Sequence, residues 1–417
     1  MKRFGCCLII ALVGLAVCGC SKKVENMTMS IAVSGSSAVG TYTGETSDDK
    51  AEGAGVFSGN DGFTADGQFE GGELQTGNVS NLPLSLSING SEESGLYTGA
   101  YNNGAEGQGK FSFKKGDSEF SLEGTFAANV LKSGKINDYP VECSISDVSY
   151  NGKYTGDIKD NELTGSGEFK AKGIDYIGEF TSGKPSGKGE LRKSTYVVHF
   201  KDGIDRKGTY DGETVNGLAE GEGKFSAKTA DNEKYTYTGE WKKGLWHGQG
   251  EQVFEKDGVH YIGRYKNGEW DPTAFDQFNS YSYNKDGKYS ICSNAAKYIR
   301  KHDKYFSKKV SKKELKKLRK ASQKKPSYSK LKSNINKYAK KPIKMTITPF
   351  QALNSTFLVY DGSFNQVLYI DFLKPVKWIK EGKPCTIYVI PMDYSTYKTV
   401  NNKSQWCIRF AGILAKD

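Results

Sequence analysis

The chain is poor in the residues that catalysis and metal binding most often use. Its 417 residues include four histidines, and none has a metal-ligating spacing to a cysteine or to another histidine. Its Gly-x-Gly phrases do not open helices after strands, so they are not dinucleotide-binding loops. No serine or cysteine stands beside a plausible base. We therefore expect a protein that is not an enzyme and that uses no cofactor and no metal.

Cysteine is also scarce. Four cysteines follow residue 20, and they are too scattered to form a disulfide framework: Cys143, Cys292, Cys385 and Cys407. Cys385 and Cys407 both lie in strand-like runs near the C-terminus, so a disulfide between them is one interpretation. The alternative is that they are small buried hydrophobic residues.

The apolar run at residues 6–17 is too short to span a bilayer as a permanent helix. It follows Lys2 and Arg3 and ends in Val17-Cys18-Gly19-Cys20-Ser21. This resembles a bacterial lipoprotein signal with its lipobox. The resemblance implies that residues 1–19 are a signal peptide and that Cys20 carries lipid, which would anchor an extracytoplasmic protein to the cell membrane. An ordinary secretory signal is the alternative.

What the chain does have is a repeated phrase, Tyr-x-Gly-x-aromatic followed by Gly and then Gly-x-Gly. The clearest copy contains Tyr237, Gly239, Trp241, Gly248 and Gly250. Alternation of aromatic and polar residues predicts strands, and the recurring glycines predict tight turns. The residues that define the repeats are Tyr42, Gly44, Tyr97, Gly99, Tyr154, Gly156, Tyr176, Gly178, Tyr210, Gly212, Tyr237, Gly239, Trp241, Tyr261 and Gly263.

The copies also follow a longer period. Tyr42, Tyr97, Tyr154 and Tyr210 begin successive stretches of similar length, which predicts four modules of about three hairpins each. The phrase resembles the MORN (membrane occupation and recognition nexus) repeat over residues 40–271. The resemblance implies an elongated single sheet of stacked hairpins, and a protein that binds rather than catalyses.

The segments that flank the repeats differ from them in composition. Residues 20–39 are small and polar, which predicts a flexible tether. Residues 272–344 are predicted to be a connector followed by short helices, because Ser311 and Glu314 have capping-box spacing.

Positive charge is concentrated in residues 300–344, which hold 19 lysines and arginines but two acids. One hypothesis is that this segment binds an anionic surface; the alternative is a solvated linker. The candidate contacts are Lys308, Lys309, Lys312, Lys313, Lys316, Lys317, Arg319, Lys320, Lys324 and Lys325.

Strand patterns return in residues 345–417 and suggest a small barrel. The run from Ile379 to Tyr388, the Tyr394-Ser-Thr-Tyr397 stretch and the apolar strand around Phe410 resemble the OB-fold domains of bacterial lipoproteins. The predicted class is mainly β: a sheet of MORN hairpins, short basic helices and an OB-like barrel.

Together these patterns favour a membrane-anchored binding or scaffold lipoprotein of the bacterial cell envelope. Its expected partners are a protein on the repeat sheet, or an anionic lipid or cell-wall polymer, and no nucleic acid is expected. The alternative is a carbohydrate-binding surface protein that uses aromatic ladders of the sheet as stacking platforms.

Overall fold

The computed structural model describes residues 21–283, 289–399 and 401–416. The predicted signal peptide and Cys20 lie outside the described residues. The described chain forms a 19-stranded sheet, then short helices, then a seven-stranded sheet. The prediction of a mainly β protein built from consecutive hairpins is therefore confirmed.

The strands of the first sheet have short connections. They are β1 (Lys22–Val33), β2 (Ser36–Ser47), β3 (Lys50–Gly59), β4 (Thr64–Glu70), β5 (Glu73–Ile88), β6 (Ser91–Asn102), β7 (Ala105–Lys115), β8 (Ser118–Ala127), β9 (Val130–Ile145), β10 (Val148–Lys159), β11 (Gly165–Ala171), β12 (Ile174–Thr181), β13 (Lys184–His199), β14 (Asp205–Val215), β15 (Leu218–Lys228), β16 (Lys234–Lys242), β17 (Leu245–Phe254), β18 (Val259–Lys266) and β19 (Glu269–Trp270).

Each hairpin follows from period-two patterning and from turn residues that tolerate a left-handed backbone. Tyr210 pairs with Phe225 across β14 and β15, and both side chains are buried while their neighbours along each strand face outward. The turn between these strands holds Asn216 at a φ of 53° and Gly217 at 74°. Asn and Gly adopt this conformation at low cost.

The module has four strands rather than three separate hairpins. β5, β9 and β13 are each 16 residues long. β4 pairs with β5 from Glu73 to Ser80, whereas β6 pairs with β5 from Thr76 to Ile88, so the far end of β5 from Leu82 onward pairs with β6 and not with β4. The predicted third hairpin is therefore made by the far ends of strands that belong to flanking repeats.

The prediction of a flexible tether over residues 20–39 is wrong. β1 begins at Lys22 and pairs with β2, with Ile31 opposite Ala38. Ile31 and Val33 are buried. Serine, alanine and glycine made this stretch look like a linker, but the apolar residues at 27, 29, 31 and 33 keep the two-residue period of a strand.

The remaining elements belong to the C-terminal part of the chain. They are α1 (Ala274–Tyr283), α2 (Ser293–Lys301), α3 (Asp303–Ser307), α4 (Lys312–Ala321), β20 (Gln323–Lys324), α5 (Tyr328–Ser333), α6 (Ile335–Tyr338), β21 (Ile343–Ile347), β22 (Pro349–Leu353), β23 (Thr356–Asp361), β24 (Ser363–Asp371), β25 (Cys385–Lys398) and β26 (Ser404–Ile413).

The second sheet curls into a half-barrel. Its strand order is β20-β21-β25-β26-β24-β23-β22, and β24 runs parallel to β26. β21 ends at Ile347 and β22 begins at Pro349, although the two strands stand near opposite ends of this order. The short connection brings those ends close together, so the sheet must bend around its apolar core.

The lysine-rich segment is folded against that core, which excludes the interpretation of a solvated linker. Leu318 of α4, Leu331 of α5 and Ile335 of α6 are all buried. The predicted capping box is present, because Ser311 Oγ accepts from the Glu314 N–H and the Glu314 carboxylate accepts from the Ser311 N–H. No helix of the described residues is both long and apolar enough to cross a membrane.

The described chain divides into two compact units. The first contains the described residues up to Cys143 together with Tyr150–Ala171 and Ile177–Ser186. The second contains Ser144–Ser149, Lys172–Tyr176 and the described residues from Gly187 onward.

Candidate functional site

The repeat tyrosine and its glycines form a packing unit. Tyr97 lies against the facing pair Gly99 and Gly109, and its hydroxyl donates to the carbonyl oxygens of Ala100 at 2.8 Å and Glu106 at 3.2 Å. A methyl group at Gly109 would overlap the Tyr97 ring. The phrase therefore requires glycine because the aromatic ring occupies the space of a side chain.

The same arrangement recurs in the other copies. A Cβ atom would meet the repeat tyrosine at Gly55, Gly167, Gly189, Gly223 and Gly250, which face Tyr42, Tyr154, Tyr176, Tyr210 and Tyr237. All of these tyrosines are buried. The predicted Gly178 lies beside Tyr176 in β12.

Five of the repeat tyrosines also meet an aromatic ring of a following hairpin edge to face. The ring centroids are 5.2 Å apart for Tyr42–Phe69, 5.0 Å for Tyr97–Phe126, 4.9 Å for Tyr154–Phe180, 5.0 Å for Tyr210–Trp241 and 5.0 Å for Tyr237–Tyr265. Such contacts stabilise the stack by about 0.5–1.5 kcal/mol each. These aromatic ladders are core, so they do not offer an open stacking platform to a ligand.

The final predicted copy, at Tyr261 and Gly263, is adapted to end the stack. Asp276 of α1 lies where a side chain at Gly263 would be. Ser280 of α1 accepts from the Ile262 N–H at 2.8 Å and donates to the Ile262 carbonyl oxygen at 3.1 Å. α1 thus satisfies backbone groups on the last long strand, as a terminal cap does in repeat proteins.

The acid that follows the first glycine of the phrase has a structural role. Glu240 accepts from the Gln249 N–H at 2.7 Å, and Asp157 accepts from the Ser166 N–H at 3.0 Å. In both copies the carboxylate binds backbone of the facing strand beside the Gly-x-Gly segment. The recurrence of acids along the chain therefore reflects the hairpin bulge and not a pair of catalytic carboxylates.

The structure distributes the ten predicted cations over several elements. Nine of them are exposed: Lys308 and Lys309 before α4, Lys312, Lys313, Lys316, Lys317, Arg319 and Lys320 in α4, and Lys324 in β20. Lys325 differs, because its Nζ lies 2.5 Å from Asp361 Oδ1 in an ion pair that is partly buried. Lys325 therefore adds little to a free positive surface.

Three of these exposed cations line clefts that the lysine pattern did not reveal. The first cationic cleft, of about 340 Å³, holds Lys308, Lys309 and Lys374 beside Trp378. The second cationic cleft, of about 680 Å³, holds Arg319, Lys344 and Lys416 beside the same Trp378. No acidic side chain of the described residues lines either cleft.

A third cleft, of about 720 Å³, lies at the far ends of the last repeats. Phe200, Tyr235, Trp246 and Phe254 line it, together with charged side chains that include Arg206. The Arg206 guanidinium stacks 4.2 Å from the centre of the Phe200 ring. Tyr235 Oη and Trp246 Nε1 are buried and have no hydrogen-bond partner among the described residues. This aromatic cleft was not predicted, since long strands from separate repeats build it.

The predicted disulfide between Cys385 and Cys407 is wrong. Cys385 pairs with Ile347 at the start of β25, whereas Cys407 pairs with Ser395, ten residues further along the same strand. That offset separates the two residues by about 30 Å, and a disulfide requires Cα atoms within about 7 Å. Both thiols are free.

The geometry defines a β-hairpin repeat protein, and comparison with protein families gives the repeat class. Five stretches match the MORN repeat: residues 42–64, 97–118, 176–196, 210–228 and 237–259. The copies at Tyr154 and Tyr261 fall outside these matches, although Tyr154 has the same ring packing. No curated protein matches the chain. The chain thus contains MORN repeats, which suggest a repeat-based binding or scaffold role.

Proposed function

We propose that this chain is a membrane-anchored, non-enzymatic binding or scaffold lipoprotein of the bacterial cell envelope. The observation that carries the proposal is the use of the repeat residues. The tyrosines, glycines and acids that recur along the sheet pack and form hydrogen bonds within the hairpins, as at Tyr97, Gly109 and Glu240. What remains outward is a regular polar surface, which suits a partner that lies along several strands.

The outward surface is well formed at the fifth matched repeat. Lys224, Thr238 and Glu251 are direct neighbours across β15, β16 and β17. Lys224 and Thr238 are exposed, and Glu251 is half-buried beside His260. Neighbouring charges of both signs on a sheet favour a protein partner with complementary charges.

A photo-crosslinker at Thr238 tests this surface in intact cells. We expect one discrete crosslinked species that disappears when Lys224→Glu is added, while a crosslinker at the exposed Lys153 serves as a control for random collisions. Equal diffuse labelling from both positions would argue against a partner on the sheet.

The anchor in this proposal is lipid on Cys20. Because β1 begins at Lys22, the first strand would start two residues from the acyl chains, with no flexible spacer between. Mass analysis of the membrane-extracted protein is expected to find Cys20 as a lipidated N-terminus. A Cys20→Ala variant would then be found in the soluble fraction.

The C-terminal half-barrel supports an OB-like fold within this proposal. Its order β21-β25-β26-β24-β23-β22, with a parallel β24–β26 pair, curls into a half-barrel, and a small, partly open barrel is what the proposal assumes. The long loop between β24 and β25 carries Trp378.

A second candidate function is carbohydrate binding, and the aromatic cleft favours it. Aromatic rings with nearby polar groups are suited to stacking on sugars, and Tyr235 and Trp246 have donors there that find no acceptor within the described part of the chain. A glycan array with the mature chain tests this candidate. Binding that is lost in Phe254→Ala but kept in Phe120→Ala, which changes an aromatic residue outside the cleft, would support it. A blank array would remove it.

A further inference from the structure

Successive long strands of the repeat sheet contact the hairpin that the long strand before them forms. Tyr139 of β9 donates to the Glu93 carboxylate of β6 at 2.8 Å, and β6 is the hairpin partner of β5. One module later the Ser146 hydroxyl, in the turn between β9 and β10, donates to the Val197 carbonyl oxygen of β13 at 2.8 Å. Each of these two long hairpins is therefore covered by the next long strand.

The series stops at the hairpin of β13 and β14. The long strands β5, β9 and β13 have 16 residues each, whereas β17, which takes the corresponding place in the last module, has 10 residues and ends at Phe254. β17 is thus too short to cover the turn between β13 and β14. The aromatic cleft, of about 720 Å³, opens at this turn, and its lining lies between Phe200 and Glu269. The cleft is where one more long hairpin would pack.

Two side chains of the last module carry polar atoms that their counterparts lack. Trp246 takes the place in β17 that Leu131 takes in β9, since each pairs with the aromatic residue at the end of the preceding strand. Tyr235 takes the place in β16 that Phe120 takes in β8. Both differences add a hydrogen-bond donor to a position that is pure hydrocarbon in the earlier module. They occur in the module that has the open cleft.

The two added donors have no acceptor among the described residues. Tyr235 is 3% exposed and Trp246 is 5% exposed, and neither Tyr235 Oη nor Trp246 Nε1 has a hydrogen-bond partner there. A buried donor without an acceptor is uncommon, because it forfeits a hydrogen bond that water would supply. Both residues line the aromatic cleft. A ligand in the cleft that carries oxygen acceptors would satisfy both groups.

The charges around the aromatic cleft are of both signs. Asp202 pairs with Arg206 at 2.9 Å, and Asp205 pairs with His199 at 2.9 Å. The other charged side chains of the lining are exposed: Lys201, Lys207, Lys228 and Glu269. A rim of mixed charge does not select a polyanion. It suits a polypeptide, whose own side chains can carry complementary charges of both signs.

We propose that the aromatic cleft binds a β-hairpin of a protein partner, which packs where the next long hairpin of the array would lie. Trp246 and Tyr235 donate to carbonyl oxygens of that hairpin. An apolar side chain of the hairpin displaces the half-buried Phe254 ring and packs against Ile204, which is 60% exposed. The inference deepens the proposed binding role, on which it rests for the existence of a protein partner.

The test uses the unlipidated mature chain and two cyclised peptides as probes. The peptides have the sequences of residues 82–97 and 194–210, which are long hairpins of this chain whose end residues pair. Binding is followed by NMR of the indole N–H groups of the five tryptophans. The signal of Trp246 is identified with a Trp246→Phe variant, and the exposed Trp406 serves as an internal control.

We expect at least one peptide at millimolar concentration to shift the Trp246 signal in a saturable way and to leave the Trp406 signal in place. A new hydrogen bond to the indole N–H is the physical reason for the shift. The absence of a shift with both peptides would overturn the proposal.

An Ile204→Asp variant tests the apolar contact. Its control is Val39→Asp, which places the same charge at a β-branched residue that is 54% exposed and lies outside the cleft. We expect peptide affinity to fall about tenfold or more in the first variant and to stay within about threefold in the second. Equal weakening in both variants would mean binding elsewhere and would overturn the site.

A Tyr235→Phe variant separates binding from stability. The hydroxyl has no partner among the described residues, so its removal should leave the thermal unfolding midpoint unchanged or raise it. Peptide affinity should fall about threefold or more, because the hydrogen bond to the hairpin is lost. Unaltered affinity would overturn the placement of the hairpin against Tyr235.

Two further outcomes separate this inference from the proposed function. A glycan that shifts the Trp246 signal, when neither peptide does, would make the cleft a carbohydrate site and overturn the hairpin. A discrete crosslink from Thr238 in cells without peptide binding in solution would overturn the hairpin alone. Peptide binding in solution without any crosslink in cells would support the hairpin site and contradict the proposed partner on the sheet surface.

Discussion

Replacing Gly109 by alanine is the sharpest test of how the repeats hold together. The backbone at Gly109 has no left-handed strain to explain the glycine, and the three nearest atoms that a methyl group would meet all belong to Tyr97. Overpacking a dense interior costs about 1–3 kcal/mol. Where space is available, the same substitution stabilises by about 0.4–1 kcal/mol through the unfolded state.

The effect of the methyl group must therefore depend on the ring. We expect Gly109→Ala to lower the free energy of unfolding by about 1–3 kcal/mol in the wild-type background. In a Tyr97→Ala background it should be neutral or slightly stabilising, which gives a coupling energy of about 2 kcal/mol. In a Tyr97→Phe background the cost should remain, because the ring is still present although its two hydrogen bonds are lost.

Urea unfolding followed by circular dichroism gives the overall stabilities, and native-state hydrogen exchange of residues 97–111 reports the local hairpin. Matched exchange data are needed because a chain with two compact units need not unfold in one step. Additive effects of Gly109→Ala and Tyr97→Ala, within about 0.5 kcal/mol, would refute the packing unit.

Three further predictions concern buried ionisable groups. Burial raises the pKa of Glu93, but hydrogen bonds from Lys115, Tyr139 and Ser91 outweigh this and hold the pKa below its ordinary value. The resulting stability is present above about pH 4.5 and is lost as pH falls through the folded pKa. Glu93→Gln should therefore make the melting temperature depend less on pH in acid, and an unchanged dependence would contradict this. Burial raises the pKa of Asp371 to about 6 despite hydrogen bonding to Thr356 and the charge of Arg409. Its carboxyl carbon should therefore titrate by NMR near pH 6, and stability from this group should be lost as pH rises through that value. A titration midpoint near pH 4 would contradict the raised pKa. Cys385 and Cys407 should both react with a thiol reagent in denaturant without reductant, because both thiols are free. In the native protein Cys407 should be protected at pH 8, since burial raises its pKa to about 12. Two thiols missing from the denatured protein would indicate the disulfide that the fold excludes.

The repeat part of the fold could be predicted from the sequence because its signals are local. Tyr-x-Gly and Gly-x-Gly lie within one hairpin, so the spacing of Tyr237, Gly239 and Gly250 alone places the ring over the glycine pair. The first hairpin was not predicted because Ile31 and Val33 lie among serine and alanine residues, which gave the stretch the composition of a linker. Composition suggested a tether where the two-residue period indicated a strand.

The clefts could not be predicted, because they depend on contacts between distant parts of the chain. Trp378 and Lys374 lie in an irregular loop with no periodic pattern, and the fold alone brings them to Lys308. The aromatic cleft has the same origin, since Phe200, Tyr235 and Phe254 come from three different strand ends. The strand offset that separates Cys385 from Cys407 is likewise a property of pairing register and not of the residues themselves.

Attachment to the membrane through Cys20 is the claim on which the proposed function depends most. Cells that express the full chain or a Cys20→Ala variant are separated into membrane and soluble fractions. The intact mass of each extracted protein is measured by mass spectrometry, and thermal unfolding establishes that both proteins are folded. We predict that the full chain is found in the membrane fraction with the added mass of acyl chains, and that the folded variant is soluble. A full chain without lipid mass, or a Cys20→Ala variant that remains in the membrane fraction, would contradict the account.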